Sequence, residues 1–258
     1  MMDKKVGDKL KINENIYMMK LPVILSGTET FLYPTIIKDQ LNTVLIDTGL
    51  EGRNHLENII EQFTDNGILY SNLDTIILTH QDFDHIGGLH GILESFEKSV
   101  EVYFHEAEKS YIIGDTELIK SKGKTMPSLI KLLIKKLHID KAEEKTDHSD
   151  IKVMRLLHHG DVLDFAGGID VIHTPGHTPG NICLYHSHSK TLIAGDTLNI
   201  TDGKLTGANP LFTPNMGKAT RSIERLTDYD IEKIICYHGG LFEVDCNKAI
   251  KDLINTKP

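Results

Sequence analysis

Short apolar runs recur along the chain, each closed by glycine, proline or a polar cluster, and amphipathic stretches separate them. In the first half, segments 16–19, 30–37 and 43–46 read as a strand meander, with turns marked by Gly27 and Asp39-Gln40. Segment 53–63 places Leu56, Ile59, Ile60 and Phe63 on one face and predicts a helix. A buried strand over 75–78 follows, then a helix over 87–96 opened by Ile86-Gly87-Gly88-Leu89, then a strand over 100–104. The second half predicts strands over 153–157, 162–165, 170–173, 181–185 and 191–194, a helix over 218–226, a strand over 233–236 and a closing helix over 247–254. Strands alternating with helices, with a meander in each half, predict an α/β fold of two packed sheets flanked by helices. No linker, solenoid repeat or low-complexity tract divides the chain, so one domain over 1–258 is expected.

Two segments stand outside this pattern. Segment 114–150 contains a helical stripe of Leu129, Leu132, Leu133 and Leu137, widened by Ile130 and Ile134, with Lys131, Lys135 and Lys136 on the remaining surface. It reads as a helix packed on the core with a solvated lysine face; the alternatives are a lid over a site or a homodimer surface. Segment 200–217 is marked by Gly203, Gly207, Pro210 and Pro214, and its Leu211 and Phe212 are expected to line a substrate pocket.

The chemistry concentrates in Thr79-His80-Gln81-Asp82-Phe83-Asp84-His85, directly after the strand pattern Thr75-Ile76-Ile77-Leu78. Two imidazoles and two carboxylates on one strand-to-helix loop repel and desolvate one another unless a cation joins them. A polar, solvated loop is the bland reading, and four such groups at this spacing argue against it. Three more candidates follow apolar strands at Gly- or Pro-marked turns: His177 in Thr174-Pro175-Gly176-His177-Thr178-Pro179-Gly180, Asp196 in Ile193-Ala194-Gly195-Asp196-Thr197, and His238 in Ile235-Cys236-Tyr237-His238-Gly239-Gly240. Each alone is a turn residue; with the first loop they make a set of seven.

Composition narrows the partners. A hydrophobic fraction of 40% with 25% charged residues describes an ordinary globular chain. The net charge of −9 opposes nucleic acid as a partner, since phosphate binding needs a basic face. No apolar leader or membrane-length span is visible, and Cys183, Cys236 and Cys246 are too few for a disulfide framework. A cytoplasmic protein acting on a small molecule, without a membrane partner, is expected. Cys183 and Cys236 read as buried thiols. His158-His159 points to opposite faces of a strand end and is poorly placed for one metal. His173 reads either as a partner that orients His177 or as a hydrogen-bonded strand end, and His186 and His188 read as solvated turn residues.

With these residues the chain resembles the metallo-β-lactamase superfamily over nearly its whole length. That family's His-x-His-x-Asp-His loop, later His, bridging Asp and final His correspond in order to His80, Asp82, Asp84 and His85, then His177, Asp196 and His238. Val44-Leu45-Ile46-Asp47-Thr48-Gly49 looks like the family's first motif, whose Asp is structural. The resemblance implies a four-layer αββα sandwich holding two divalent metal ions. Site one would comprise His80, Asp82 and His177, site two Asp84, His85 and His238, and Asp196 would bridge them. Asp82 departs from the family, which has a second His there. A carboxylate makes site one harder and more anionic, so zinc remains the first expectation while iron or manganese gains ground. The flavodiiron branch carries Glu at this position. The other outcome is that Asp82 turns away and site one is weakly occupied.

A hydroxide between two such ions would be a nucleophile at neutral pH, with Asp84 as the catalytic residue that orients it or shuttles a proton. The resemblance therefore implies a hydrolase of a small ester, lactone or thioester. Family lactonases carry a Tyr three residues after the bridging Asp; here that place is Asn199, whose amide can also donate to a carbonyl. The glutathione-binding branch uses basic residues near its C-terminus, and Lys248, Lys251 and Lys257 form no distinctive cluster. The alternatives are a diiron protein that reduces or senses oxygen, and a non-catalytic binding module on the same fold.

Overall fold

Two six-stranded mixed sheets dominate the computed structural model of the protein, which describes residues 11–25, 28–113, 115–121 and 154–255. The first runs in the order β1 (Ile16–Met18), β4 (Thr35–Lys38), β5 (Thr43–Ile46), β6 (Thr75–Leu78), β7 (Glu101–His105), β8 (Met154–Leu157). Strands β2 (Leu21–Leu25) and β3 (Thr28–Leu32) form a separate antiparallel hairpin. Pairing is antiparallel from β1 to β5 and parallel from β5 to β8. The second sheet is ordered β16 (Gly240–Phe242), β15 (Lys233–Cys236), β12 (Thr191–Ile193), β11 (Ile182–His186), β10 (Ile169–His173), β9 (Val162–Leu163). Only its β12–β15 pair is parallel. Strands β13 (Leu198–Thr201) and β14 (Lys204–Gly207) make a second hairpin.

Side-chain alternation builds the layers. In the first sheet Val44, Ile46, Ile77 and Tyr103 point inward to meet Val171, Ile182, Leu184, Ile193 and Ile235 of the second. The intervening residues Leu45, Ile76, Leu78, Val102 and Phe104 point outward and are covered by Ile59 and Phe63 of α1 (Arg53–Asp65) and by Leu89 and Ile92 of α3 (Leu89–Glu94). On the far side Ile172, Cys183, Leu192, Ile234 and Cys236 meet Ile223 of α4 (Met216–Glu224) and Ile250 of α5 (Cys246–Asn255). The result is the expected αββα sandwich. Every central strand is buried on both faces, which is why its sequence is a run of apolar residues rather than an alternation.

Several boundaries differ from the sequence reading. The single strand expected over 30–37 is two, β3 and β4, separated at Tyr33-Pro34, where proline lacks the N–H a ladder needs. Strand β2 carries Pro22 inside its apolar run and has no counterpart in the sequence reading. The helix expected to begin at Ile86-Gly87 begins earlier, as the single turn α2 (Phe83–Ile86), and is broken at Gly87-Gly88 before α3. Segment 200–217 is not irregular throughout, because β13 and β14 pair across Asp202-Gly203. His186 is buried rather than solvated: Nδ1 lies 2.6 Å from Ser189 Oγ and Nε2 lies 2.8 Å from the Ala166 carbonyl oxygen. Cys183, Cys236 and Cys246 are free and buried. Of the 114–150 insert, the stripe at 128–137 lies outside the described residues, as do the turn at Gly27 and the chain beyond 255. No described helix is long and apolar enough to cross a membrane.

Candidate metal centre

The seven singled-out residues all follow strand ends on one edge of the sandwich. Strand β6 delivers His80 and Asp82, and α2 carries Asp84 and His85 in its only turn. Strands β10, β12 and β15 deliver His177, Asp196 and His238. Backbone hydrogen bonds brace this edge: Ile182 N donates to Thr79 O over 3.1 Å between the two sheets, and Thr48 N donates to His85 O over 2.7 Å between neighbouring loops of the first sheet. Close approach dictates two glycines. A Cβ on Gly88 would lie 2.1 Å from the Thr48 carbonyl oxygen, and one on Gly176 would lie 2.2 Å from Ala219 N. The amides of Gly87 and Gly88 donate to Phe83 O and Gly49 O, so both are satisfied within the turn.

The donors fall into two groups. His80, Asp82, His177 and Asp196 can place ligand atoms within 4.8 Å of one another, and Asp84, His85 and His238 do the same. In the first group His177 Nε2 stands 2.9 Å from Asp82 Oδ2 and 3.1 Å from Asp196 Oδ2, and His80 Nε2 stands 3.3 Å from Asp82 Oδ2. In the second, His238 Nε2 stands 3.3 Å from Asp84 Oδ2. The other oxygen of Asp196, Oδ1, faces this second group, 3.3 Å from His85 Nε2 and 3.5 Å from His238 Nε2. Asp82 turns into the first group, not away from it.

Hydrogen bonds behind the imidazoles decide their tautomers. Asp47, in a left-handed backbone conformation at φ 60°, accepts from Thr79 N at 2.8 Å, Thr79 Oγ1 at 2.7 Å and His85 Nδ1 at 2.9 Å. The carboxylate can only accept, so His85 carries its proton on Nδ1. Thr79 Oγ1 gives its proton to Asp47 and is left to accept from His80 Nδ1 at 3.1 Å. Thr213 Oγ1 donates to Asn209 O at 2.7 Å and accepts from His177 Nδ1 at 3.1 Å. All three rings therefore turn an Nε2 lone pair to the centre, the arrangement a metal ligand needs. His80 Nε2, His85 Nε2 and Asp196 Oδ1 are buried and make no hydrogen bond. Such orphaned groups are costly without a partner, and a divalent cation satisfies all of them. The donor set thus fits metal ions.

Charge points the same way. Burial and the neighbouring His85 push the His80 imidazole below its ordinary range, against the pull of Asp82 and Asp196. Burial also opposes protonation of His85, yet the Asp47, Asp196 and Asp84 carboxylates raise it well above the usual value. Asp82, though burial pushes it up, is held well below the carboxylate range by His80, His177 and Lys120. Asp196 is lowered in the same way by His238, His85 and His177 against burial. The same carboxylates raise His177 and His238, against burial, so these imidazoles hold protons that a divalent ion would displace on binding the Nε2 lone pairs.

Residues around the donors had no sequence signal. Glu108 is fully buried and accepts from Gln81 N at 3.1 Å, Gln81 Nε2 at 2.8 Å and Gly180 N at 2.5 Å, so one carboxylate clamps the His80 and His177 loops. Tyr237 stacks on His85 with ring centroids 3.8 Å apart and donates its hydroxyl to Asp84 O at 2.6 Å. Lys120 reaches into the first group from a 3-10 turn at Ile119–Ser121. Of the expected pocket residues, Asn199 is nearly buried and donates Nδ2 to Gly207 O at 3.3 Å, within its own hairpin. Leu211 and Phe212 are exposed and sit just before Thr213, the residue that holds His177. His173 Nε2 lies 2.9 Å from Pro179 O, closing the far end of the His177 loop without touching a donor.

The sequence profile described as "Metallo-beta-lactamase superfamily" matches residues 33–238. A probable metallo-hydrolase of Bacillus subtilis (strain 168), YflN, is 31% identical over 237 residues, spanning 87% of this chain and 80% of that protein. The acyl-coenzyme A thioesterase MBLAC2 of Gallus gallus is 28% identical over 176 residues, spanning 64% of this chain and 56% of that protein. Among solved structures, a metallo-beta-lactamase family protein of Thermus thermophilus superposes with a TM-score of 0.68 at 20% identity, covering 95% of this chain and 80% of that one.

Proposed function

The chain belongs to the metallo-β-lactamase superfamily and is a metal-dependent hydrolase, and from that premise we propose that it uses two metal ions to cleave a small ester, lactone or thioester. The observation that carries the dinuclear reading is Asp196, which turns one carboxylate oxygen to each donor group. His80, Asp82 and His177 would hold the first ion, Asp84, His85 and His238 the second. Bound ions of this kind supply a water ionised near neutral pH and a positive field for the oxygen of the scissile carbonyl.

The remaining work falls to the chain's own groups. Asp84 is ionised, because His85 and His238 hold its carboxyl below the usual range although burial pushes the other way. It would take a proton from the attacking water and return it to the leaving group. Asp47, Thr79 and Thr213 keep the imidazoles in one tautomer throughout. His238 is the more open donor, with 30% of its side chain exposed against 0% for His80 and His85. Substrate therefore approaches from the second group, where Asn199, next to the Ile200 amide that donates to His238 O, would offer a polar contact, while Leu211 and Phe212 would offer apolar contact from the His177 side. The thioesterase relative favours thioesters among the three classes.

Two carboxylates in the first group favour a harder ion there, which is the reason to keep a diiron, oxygen-reacting centre as the second reading. Elemental mass spectrometry on protein purified without added metal or chelator decides between them. About two zinc ions per chain, with turnover on thioester or lactone panels, is the expected result. Mostly iron, with a spectrum that changes on exposure to oxygen and no hydrolysis, would replace the hydrolase reading. Asp82→His should shift the first group toward zinc over iron and manganese, read in the same measurement; an unchanged metal profile would remove Asp82 from the ligand set.

A further inference from the structure

Lys120 Nζ donates to Asp82 Oδ2 and stands 2.6 Å from His177 Nε2. These are the two atoms that, with His80 Nε2, face the middle of the first donor group. The side chain is only 23% exposed and Asp82 only 11%, so the ammonium has left most of its water for this contact. Its backbone is pinned nearby: Ile119 N donates to Gln81 Oε1 at 2.9 Å, and Gln81 is held in turn by the buried Glu108. The carboxylate at position 82 is what makes the contact favourable, since an ammonium pairs with a carboxylate oxygen far better than with an imidazole.

We propose that Lys120 is an internal cation that competes with a metal ion for the first donor group, so that this group fills after the second and more weakly. The inference rests on the dinuclear reading. The single lone pair of His177 Nε2 cannot serve Nζ and a metal ion together, so the two occupants exclude each other there. Apparent affinity then falls by the fraction of time the ammonium is withdrawn: a side chain that is inward nine-tenths of the time weakens binding about tenfold. Metal entry needs only rotation of the lysine stem, because the tether holds the backbone and not the ammonium.

The test is a cobalt(II) titration of metal-depleted protein, followed by visible absorption and calorimetry. Wild type should take two ions in separate steps, and His177→Ala should abolish the weaker one, which assigns that step to the first group. Lys120→Met keeps the length and removes the charge; it should tighten the weaker step about tenfold and leave the tighter step unchanged. Lys120→Gln should move it in the same direction, and thermal melts confirm that both variants fold. Lys98→Met, which removes an exposed pair with Asp74, should change neither step. If wild type and Lys120→Met take two ions with the same affinities, the competition is disproved and the dinuclear reading stands. If both take only one ion, the dinuclear reading fails and the competition with it.

Discussion

Asp196 turns Oδ2 toward His177 and Oδ1 toward His85 and His238, so a single carboxylate serves both donor groups. Alanine there removes the shared oxygen pair and leaves His85 Nε2 without its nearest acidic neighbour. Asp196→Ala should lower bound metal toward one ion or none and reduce turnover about a hundredfold or more, measured by elemental analysis and steady-state kinetics. Retention of two ions and full turnover would take the bridging role from Asp196. At this scale the sequence was most legible where partners are close along the chain. His80, Asp82, Asp84 and His85 declare themselves by crowding, and the structure brings His177, Asp196 and His238 to them. Glu108 could not declare itself: its partners Gln81 and Gly180 lie 27 and 72 residues away, and an isolated acid after a strand normally reads as solvated. Thr79 and Thr213 were silent for the same reason, since their hydroxyls act only once the rings are in place.

Loops, not strands, hold the donors, and the contacts between loops decide how stiff the centre is. The His80 loop and the His177 loop belong to different sheets, and Glu108 joins them by accepting from both. Its oxygens face N–H donors on two sides, so glutamine must turn its own NH₂ toward one of them. Each buried N–H left unpaired costs about 1–3 kcal/mol. Glu108→Gln should therefore lower the melting temperature and weaken metal binding about 10- to 100-fold, although Glu108 touches no ligand atom. Chelator competition reads the affinity, and binding unchanged within about twofold would confine Glu108 to a structural role. Strand identities were readable because a strand buried on both faces is a continuous apolar run. Element boundaries were less so. Pro22 disguised β2, Pro34 split a run that looked continuous, and Gly87-Gly88 ends one helical turn where it looked like the start of a helix. In the last case tertiary contact overrides local pattern, because the Thr48 carbonyl packs where a side chain would be.

The sandwich as a whole meets at the edge that carries the donors, and one histidine pair there makes its stability depend on pH. His105 ends β7 in the first sheet and His173 ends β10 in the second; their rings stack 3.8 Å apart with an interplanar angle of 17°. His105 Nδ1 accepts from Ala107 N at 3.1 Å, a bond that protonation of Nδ1 would destroy. Burial, with His173, His158 and His159 nearby, pushes His105 down to about 4, against the pull of Asp161. Burial and Arg225 lower His173 as well, against its bond to the Pro179 carbonyl. The sign follows from linkage. Between pH 6.5 and about 4 the unfolded chain binds a proton at His105 that the folded chain refuses, so stability is complete above pH 6.5 and falls as the pH drops toward 4. His105→Gln removes that proton from the balance while retaining an acceptor for Ala107 N. Its melting temperature should start lower, from the lost stack, but decline less steeply than wild type between pH 7 and about 4.5. Both proteins carry the same donors, so acid release of metal affects the two curves alike and the difference between their slopes isolates His105. Parallel curves would mean that acid opens the sandwich at the metal centre first, and that the histidine stack between the sheets merely follows.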